Sequence, residues 1–264
     1  MADKVLSGPV ESRSFPPVGG INIHTRKILD ACRDKDCIDD LRVYPTLSSQ
    51  AVIDSAFSVR PESAELIRAD VHVDPVSFNR GYYTVDVTYF YRVSGQTFPG
   101  GCPVRGLAVF DKRVILYGSE GGVKTFSSED TLFDRPGGSG PVAVVEAVDP
   151  IALNMRIGEC EEEEPEPSLH PIPAEISARL GEELNLSRCG RQLYVTLGQF
   201  SMIRLEREIQ LSLTHAENFL PGKECIGSGG GDDPCTLFSR VRFPMEEFYP
   251  PDTLPEEENY RDMV

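Results

Sequence analysis

The densest chemistry in this chain lies in Cys32-Arg33-Asp34-Lys35-Asp36-Cys37, followed by Ile38-Asp39-Asp40-Leu41. Zinc sites draw on thiol pairs about two residues apart with a second matching pair. Here four residues separate Cys32 from Cys37, and nine separate Cys225 from Cys235. Calcium would need the central glycine and terminal glutamate of a ligand loop, and the run Asp34, Asp36, Asp39, Asp40 has neither. Basic neighbours lower a thiol pKa, so Cys32 and Cys37 beside Arg33 and Lys35 are candidates for oxidative cross-linking. The structural reading of the acids is a polar helix face or turn balanced by Arg33 and Lys35.

Cysteines at 32, 37, 102, 160, 189, 225 and 235 make seven, so at least one is left over from pairing within the chain. Cys32, Cys37, Cys102, Cys160, Cys189, Cys225 and Cys235 are all candidates for cross-linking or assembly. Reduced thiols in a cytoplasmic compartment and disulfides that lock subunits together both fit this pattern, and the pairing stays open. For catalysis, no Gly-x-Ser-x-Gly elbow precedes a helix, and His24, His72, His170 and His215 share no triad or metal spacing. The glycine runs at 137–140 and 227–231 lack the Lys-Ser/Thr ending of a phosphate loop. The expectation is a protein that is not an enzyme, with no catalytic residue, metal or cofactor. A site assembled from Asp34, Asp36 and His24 is the enzymatic alternative.

These residues must be positioned by a folded scaffold, and 264 residues with 40% hydrophobic content can build one. Twenty-six basic against 42 acidic residues give a net charge of −16, which repels phosphate backbones and anionic lipid surfaces. Nucleic acid is therefore not an expected partner. No apolar run approaches the roughly 18 residues of a membrane helix, so no span is expected. Met1-Ala2-Asp3-Lys4 lacks the basic start and apolar core of a secretory signal. Cytoplasmic synthesis without a signal peptide is the expectation, with any surface reached only after assembly.

Along the chain, Thr25–Leu41 reads as a helix, with Thr25 as N-cap and Ile28, Leu29 and Cys32 on one face. From Glu65 the period changes to two. Val71, Val73, Val76 and Phe78 lead into an Asn79-Arg80-Gly81 turn, after which Tyr83, Val85, Val87, Tyr89 and Tyr91 alternate with polar neighbours. Strands are also expected over Val104–Phe110 and Val114–Tyr117, joined by Asp111-Lys112-Arg113, and over Val142–Val148 and Asn154–Ile157. A short helix is expected at Ala174–Leu184. Phe243, Phe248 and Tyr249, among prolines, can line an apolar surface that docks on this chain or on a neighbour.

An offset of 124 places Val71, Val73 and Val76 on Val195, Leu197 and Phe200, and Val85, Val87 and Tyr89 on Ile209, Leu211 and Leu213. A second echo, at an offset of 109, matches the Gly-rich loop and Phe-Ser of Gly118–Ser127 with those of Gly227–Ser239, so the second copy would be shorter by about a strand and a loop. The expected fold class is mainly β: two related β-sandwich-like or β-barrel-like modules, with one or two short helices and extended termini. The divisions are an N-terminal arm (1–24), a first module with its N-terminal helix (25–133), a Gly/Pro/acidic connection (134–173), a second module (174–250) and an acidic tail (251–264).

The segment from His24-Thr25-Arg26-Lys27-Ile28 through Cys32–Cys37 to Arg42-Val43 resembles one in poorly characterised proteins of spore-forming Clostridia. Val76–Tyr83 and Phe110-Asp111-Lys112-Arg113-Val114 add to the likeness. It implies a structural, self-assembling protein analogous to spore-coat or spore-appendage subunits. Its partner would be itself, as a homo-oligomer or filament joined by strand or arm exchange and by disulfides. An acidic soluble module that binds a basic partner or cations is the alternative.

Overall fold

The computed structural model describes residues 21–121, 140–159, 172–187, 190–213, 234–239 and 241–248. Strands β1 (Ile21–Pro45), β2 (Ser58–Pro75), β3 (Tyr82–Phe98), β4 (Pro103–Tyr117), β5 (Val142–Ala147), β6 (Ile151–Glu159) and β7 (Arg191–Leu213) form one sheet. The order is β2-β3-β4-β1-β7-β5, with β6 also on β7 and every pairing antiparallel. Along one edge of β7, β5 covers Ser201–Glu206 and β6 covers Arg191–Gly198, so the two act as successive halves of one stave. On the far side β2 returns towards β5 and β6, and the Leu66 amide donates to Asp149 Oδ1 at 2.9 Å. The result is a nearly closed barrel, which leaves little edge exposed.

The mainly β class follows from alternation. Every second residue of β3 (Val85, Val87, Tyr89, Tyr91, Val93), of β4 (Val114, Leu116) and of β7 (Leu193, Val195, Leu197, Ile203, Leu205) is buried in one core. The hairpin expected around Asn79-Arg80-Gly81 forms, with Val73 opposite Val85 and Gly81 at φ 80°. Strands of the first expected module and the strand of the second share this sheet and core, because β1 pairs with β4 on one edge and β7 on the other.

Three local expectations are corrected. Thr25–Leu41 is not a helix but most of β1, paired with β7 from Ile21↔Leu213 to Val43↔Leu193. Its alternation is hidden because bulges at Ile28/Asp30 and Ile38/Leu41 shift the phase and because two inward positions are aspartates. Asp111-Lys112-Arg113 is no turn: the ladder to β3 runs through it, with Asp111 bonded to Thr88 at 2.6 Å and Arg113 to Asp86 at 2.5 Å. Finally, β7 runs unbroken through the residues aligned with the hairpin turn, so the 124-residue offset reflects shared alternation and not a second hairpin.

Helices cover the barrel from three sides. α1 (Leu47–Ile53), capped by Thr46, plugs the end where β1 leaves and β2 enters, with Ile53 fully buried. α2 (Ala174–Leu180) falls inside the expected helix and stops at Gly181, φ 74°; its Ile176 packs on Phe90 and Leu107 outside β3 and β4. α3 (Pro234–Ser239) and α4 (Met245–Phe248) lie over the outer face of β1 and β7. There Phe200 meets Phe238 at 4.9 Å and Phe243 at 5.4 Å, so Phe243 and Phe248 dock on their own chain. Tyr249 lies outside the described residues, as do residues 1–20 of the expected arm, 134–139 and 160–171 of the connection, and the 251–264 tail. No helix among the described residues is long and apolar enough to cross a membrane.

One glycine controls a seam. A Cβ at Gly106 would stand 2.6 Å from Val43 Cγ1 and 2.7 Å from the Tyr44 carbonyl oxygen, where β4 pairs with β1. Gly106→Val is expected to cost about 3 kcal/mol through overpacking. Thermal unfolding would show it, with Gly140→Ala, which meets nothing within 4 Å, as the near-neutral control.

Candidate functional site: a polar layer inside the barrel

Strand alternation separates the charges of the Cys32–Cys37 segment. Arg33 and Lys35 point outward: Lys35 Nζ lies 4.9 Å from the Phe238 ring centre and donates to the Val241 carbonyl at 2.7 Å, while Arg33 stands over Phe243. Burial lowers the Lys35 pKa. Asp34 and Asp36 point inward, opposite Ser201 and Gln199 of β7. Their counter-ion is therefore not Arg33 or Lys35, as the sequence reading had it, but Lys112 of β4, which bonds both carboxylates. Lys112, Asp34 and Asp36 are only 7%, 11% and 16% exposed.

Beside this ion triad, β3 contributes Tyr89 and Tyr91, stacked with ring centres 6.1 Å apart, and Phe110 of β4 continues the stack. Tyr89, Tyr91, Gln199 and Ser201 are fully buried. The two phenol hydroxyls, both amide atoms of Gln199 and the Ser201 hydroxyl have no hydrogen-bond partner in the protein. A buried polar atom left dry costs about 1–3 kcal/mol, so such a set is rare in a folded core.

Burial raises the Asp36 pKa; Lys112 opposes the shift and Asp34 adds to it. Burial also pushes both phenols above their ordinary range. The Ser201 hydroxyl sits beside Tyr89 and moderates that rise. The phenols are thus neutral donors, unsuited to act as nucleophile or base. At the β1–β4 seam, backbone pairing is confined to Val43–Pro45 with Gly106–Ala108. Beyond that, side chains bridge the strands: Lys112 to Asp34 and Asp36, and the Tyr117 amide to Asp30 Oδ2 at 3.0 Å.

Comparison with protein families, curated proteins and solved structures finds no match. The site therefore stands on its geometry.

The other residues singled out by sequence are scattered. Asp39 accepts from Thr196 at 2.9 Å and Asp40, at φ 47°, pairs with Arg156, both at the bulge and apart from Asp34 and Asp36. His24 lies 3.9 Å from Glu208 on the end of β1, away from Asp34 and Asp36, and His72 lies 3.2 Å from Asp74. No cluster of three or more metal-ligating side chains occurs among the described residues. Cys37 and Cys235, both candidate cross-linking thiols, are joined to each other within the chain, with Cα atoms 5.4 Å apart. Cys32 is also disulfide-bonded, and Cys102 is free and exposed. Cys160, Cys189, Cys225, His170 and His215 lie outside the described residues, as do the glycines at 137–139 and 227–231.

Sequence reasoning passed over Lys112, Tyr89, Tyr91, Gln199 and Ser201. The available signal was polarity at inward positions of an apolar alternation: Lys112 before Val114 and Leu116, and Gln199 and Ser201 between Leu197 and Ile203.

Proposed function

We propose that this chain is a structural, self-assembling protein whose barrels join end to end, in keeping with the resemblance to poorly characterised proteins of spore-forming Clostridia and the analogy to spore-coat and spore-appendage subunits. One observation carries the reading: the two ends of the barrel expose different aromatic side chains. At the end where β2 begins and β3 finishes, Phe57 is 81% and Phe98 69% exposed, with free Cys102 nearby. At the other end Phe78, on the β2–β3 turn, is 92% exposed. Large exposed aromatics mark contact surfaces, and unlike patches at opposite ends make heterologous contacts, which extend into open chains unless rotation closes a ring. Cys102 supplies a thiol for covalent linkage between subunits.

Negative-stain microscopy and light scattering of the purified protein test this. Filaments or large oligomers are expected, with Phe78→Ser alone and Phe57→Ser/Phe98→Ser together each giving monomers. Mixing the two variants should restore one compatible contact and yield dimers. Cys102→Ser should abolish any reductant-sensitive ladder on a gel. Strictly monomeric wild-type protein at high concentration would sink the reading.

A further inference from the structure

We infer that the polar layer between β1, β3, β4 and β7 is a binding site for small neutral hydroxyl-bearing molecules, of which water is the smallest. The unpartnered groups define the ligand. Tyr89, Tyr91 and Ser201 each offer one O–H donor together with acceptor lone pairs, and Gln199 offers two N–H donors and a carbonyl oxygen.

An apolar occupant would leave all of these unpaired. A cation would accept none of the five donor hydrogens, and Lys112 already holds the two carboxylates on the cationic side. An anion would face Asp34 and Asp36 with a single ammonium between them. A neutral hydroxyl compound both donates and accepts, so unlike these it can satisfy every group in the set. Its route in is the β1–β4 seam, which above Val43 is held by side chains instead of a backbone ladder. This site is independent of the contacts at the barrel ends, so either can fail alone.

Two measurements decide it. Tyr89→Phe and Tyr91→Phe each remove one hydroxyl and keep the ring. If the layer is occupied, each variant loses a hydrogen bond to the occupant, and its melting temperature falls by roughly 2–4 °C. If the layer is dry, removing an unpaired hydroxyl raises the melting temperature, and the inference is overturned. On the wild-type protein, magnetisation transfer to the Tyr89 and Tyr91 ring protons is followed first from water alone and then from added glycerol. Transfer from water only identifies ordered water as the occupant, and transfer from glycerol identifies a small polyol site. Transfer from neither overturns the proposal even if both variants fail to fold.

Discussion

Lys112→Met is expected to destabilise the protein by about 3–5 kcal/mol at neutral pH, because it leaves two buried carboxylates without their cation. Asp34 and Asp36 are 11% and 16% exposed, so water cannot take over the role of Lys112. The loss should depend on pH in a defined direction. Burial already holds the Asp36 pKa above its ordinary value, so from about pH 4 up to that raised pKa the native state binds more protons than the unfolded chain. Stability therefore falls as pH rises through that window. Removing Lys112 takes away the interaction that restrains the shift, so the window widens upward, and the variant's deficit is largest at neutral pH and shrinks towards pH 4. Adding Asp34→Asn and Asp36→Asn to Lys112→Met should recover most of the stability at neutral pH. Urea titrations across this pH range check it; a loss that is the same at every pH would mean that packing of the lysine stem, not charge, is what matters.

Removing the Cys37–Cys235 disulfide should have an effect of similar size. Its cysteines are 198 residues apart, and loop-closure entropy alone gives about 5 kcal/mol for a link of that span; measured losses usually fall at about 2–5 kcal/mol. The structural consequence should be local. The bond pins α3 to β1, and with it the Phe238 and Phe243 rings that cover Phe200 and Gly198 of β7. In Cys37→Ser/Cys235→Ser, which leaves the Cys32 disulfide untouched, this face should be released. Increased binding of a hydrophobic dye and faster proteolysis after residue 213 would report it. An unchanged dye signal together with an unchanged denaturation midpoint would show that aromatic packing holds the segment without the covalent link.

Much of the scaffold was legible because it follows local rules. β3 announced itself through Val85, Val87, Tyr89 and Tyr91, its turn through Asn79-Arg80-Gly81, and α2 through its start at Ala174. The mainly β class followed from such segments. Less of the site could be read. The Cys32–Cys37 segment stood out for its charges, yet its helical spacing looked better than its strand spacing because the inward aspartates broke the apolar stripe.

By itself, then, the sequence determined the alternating strands, the hairpin, the acidic balance and the odd number of cysteines, since each depends on composition or on neighbours in the chain. Tertiary structure alone decided that Asp34 and Asp36 meet Lys112, that Gln199 and Ser201 stand across from them, and that Cys37 bonds Cys235. Those pairings depend on which strand lies beside which and in what register. The order β4-β1-β7, which places Lys112 76 and 78 residues along the chain from its two carboxylates, is set by burial of the whole core and leaves no mark on any local stretch of sequence.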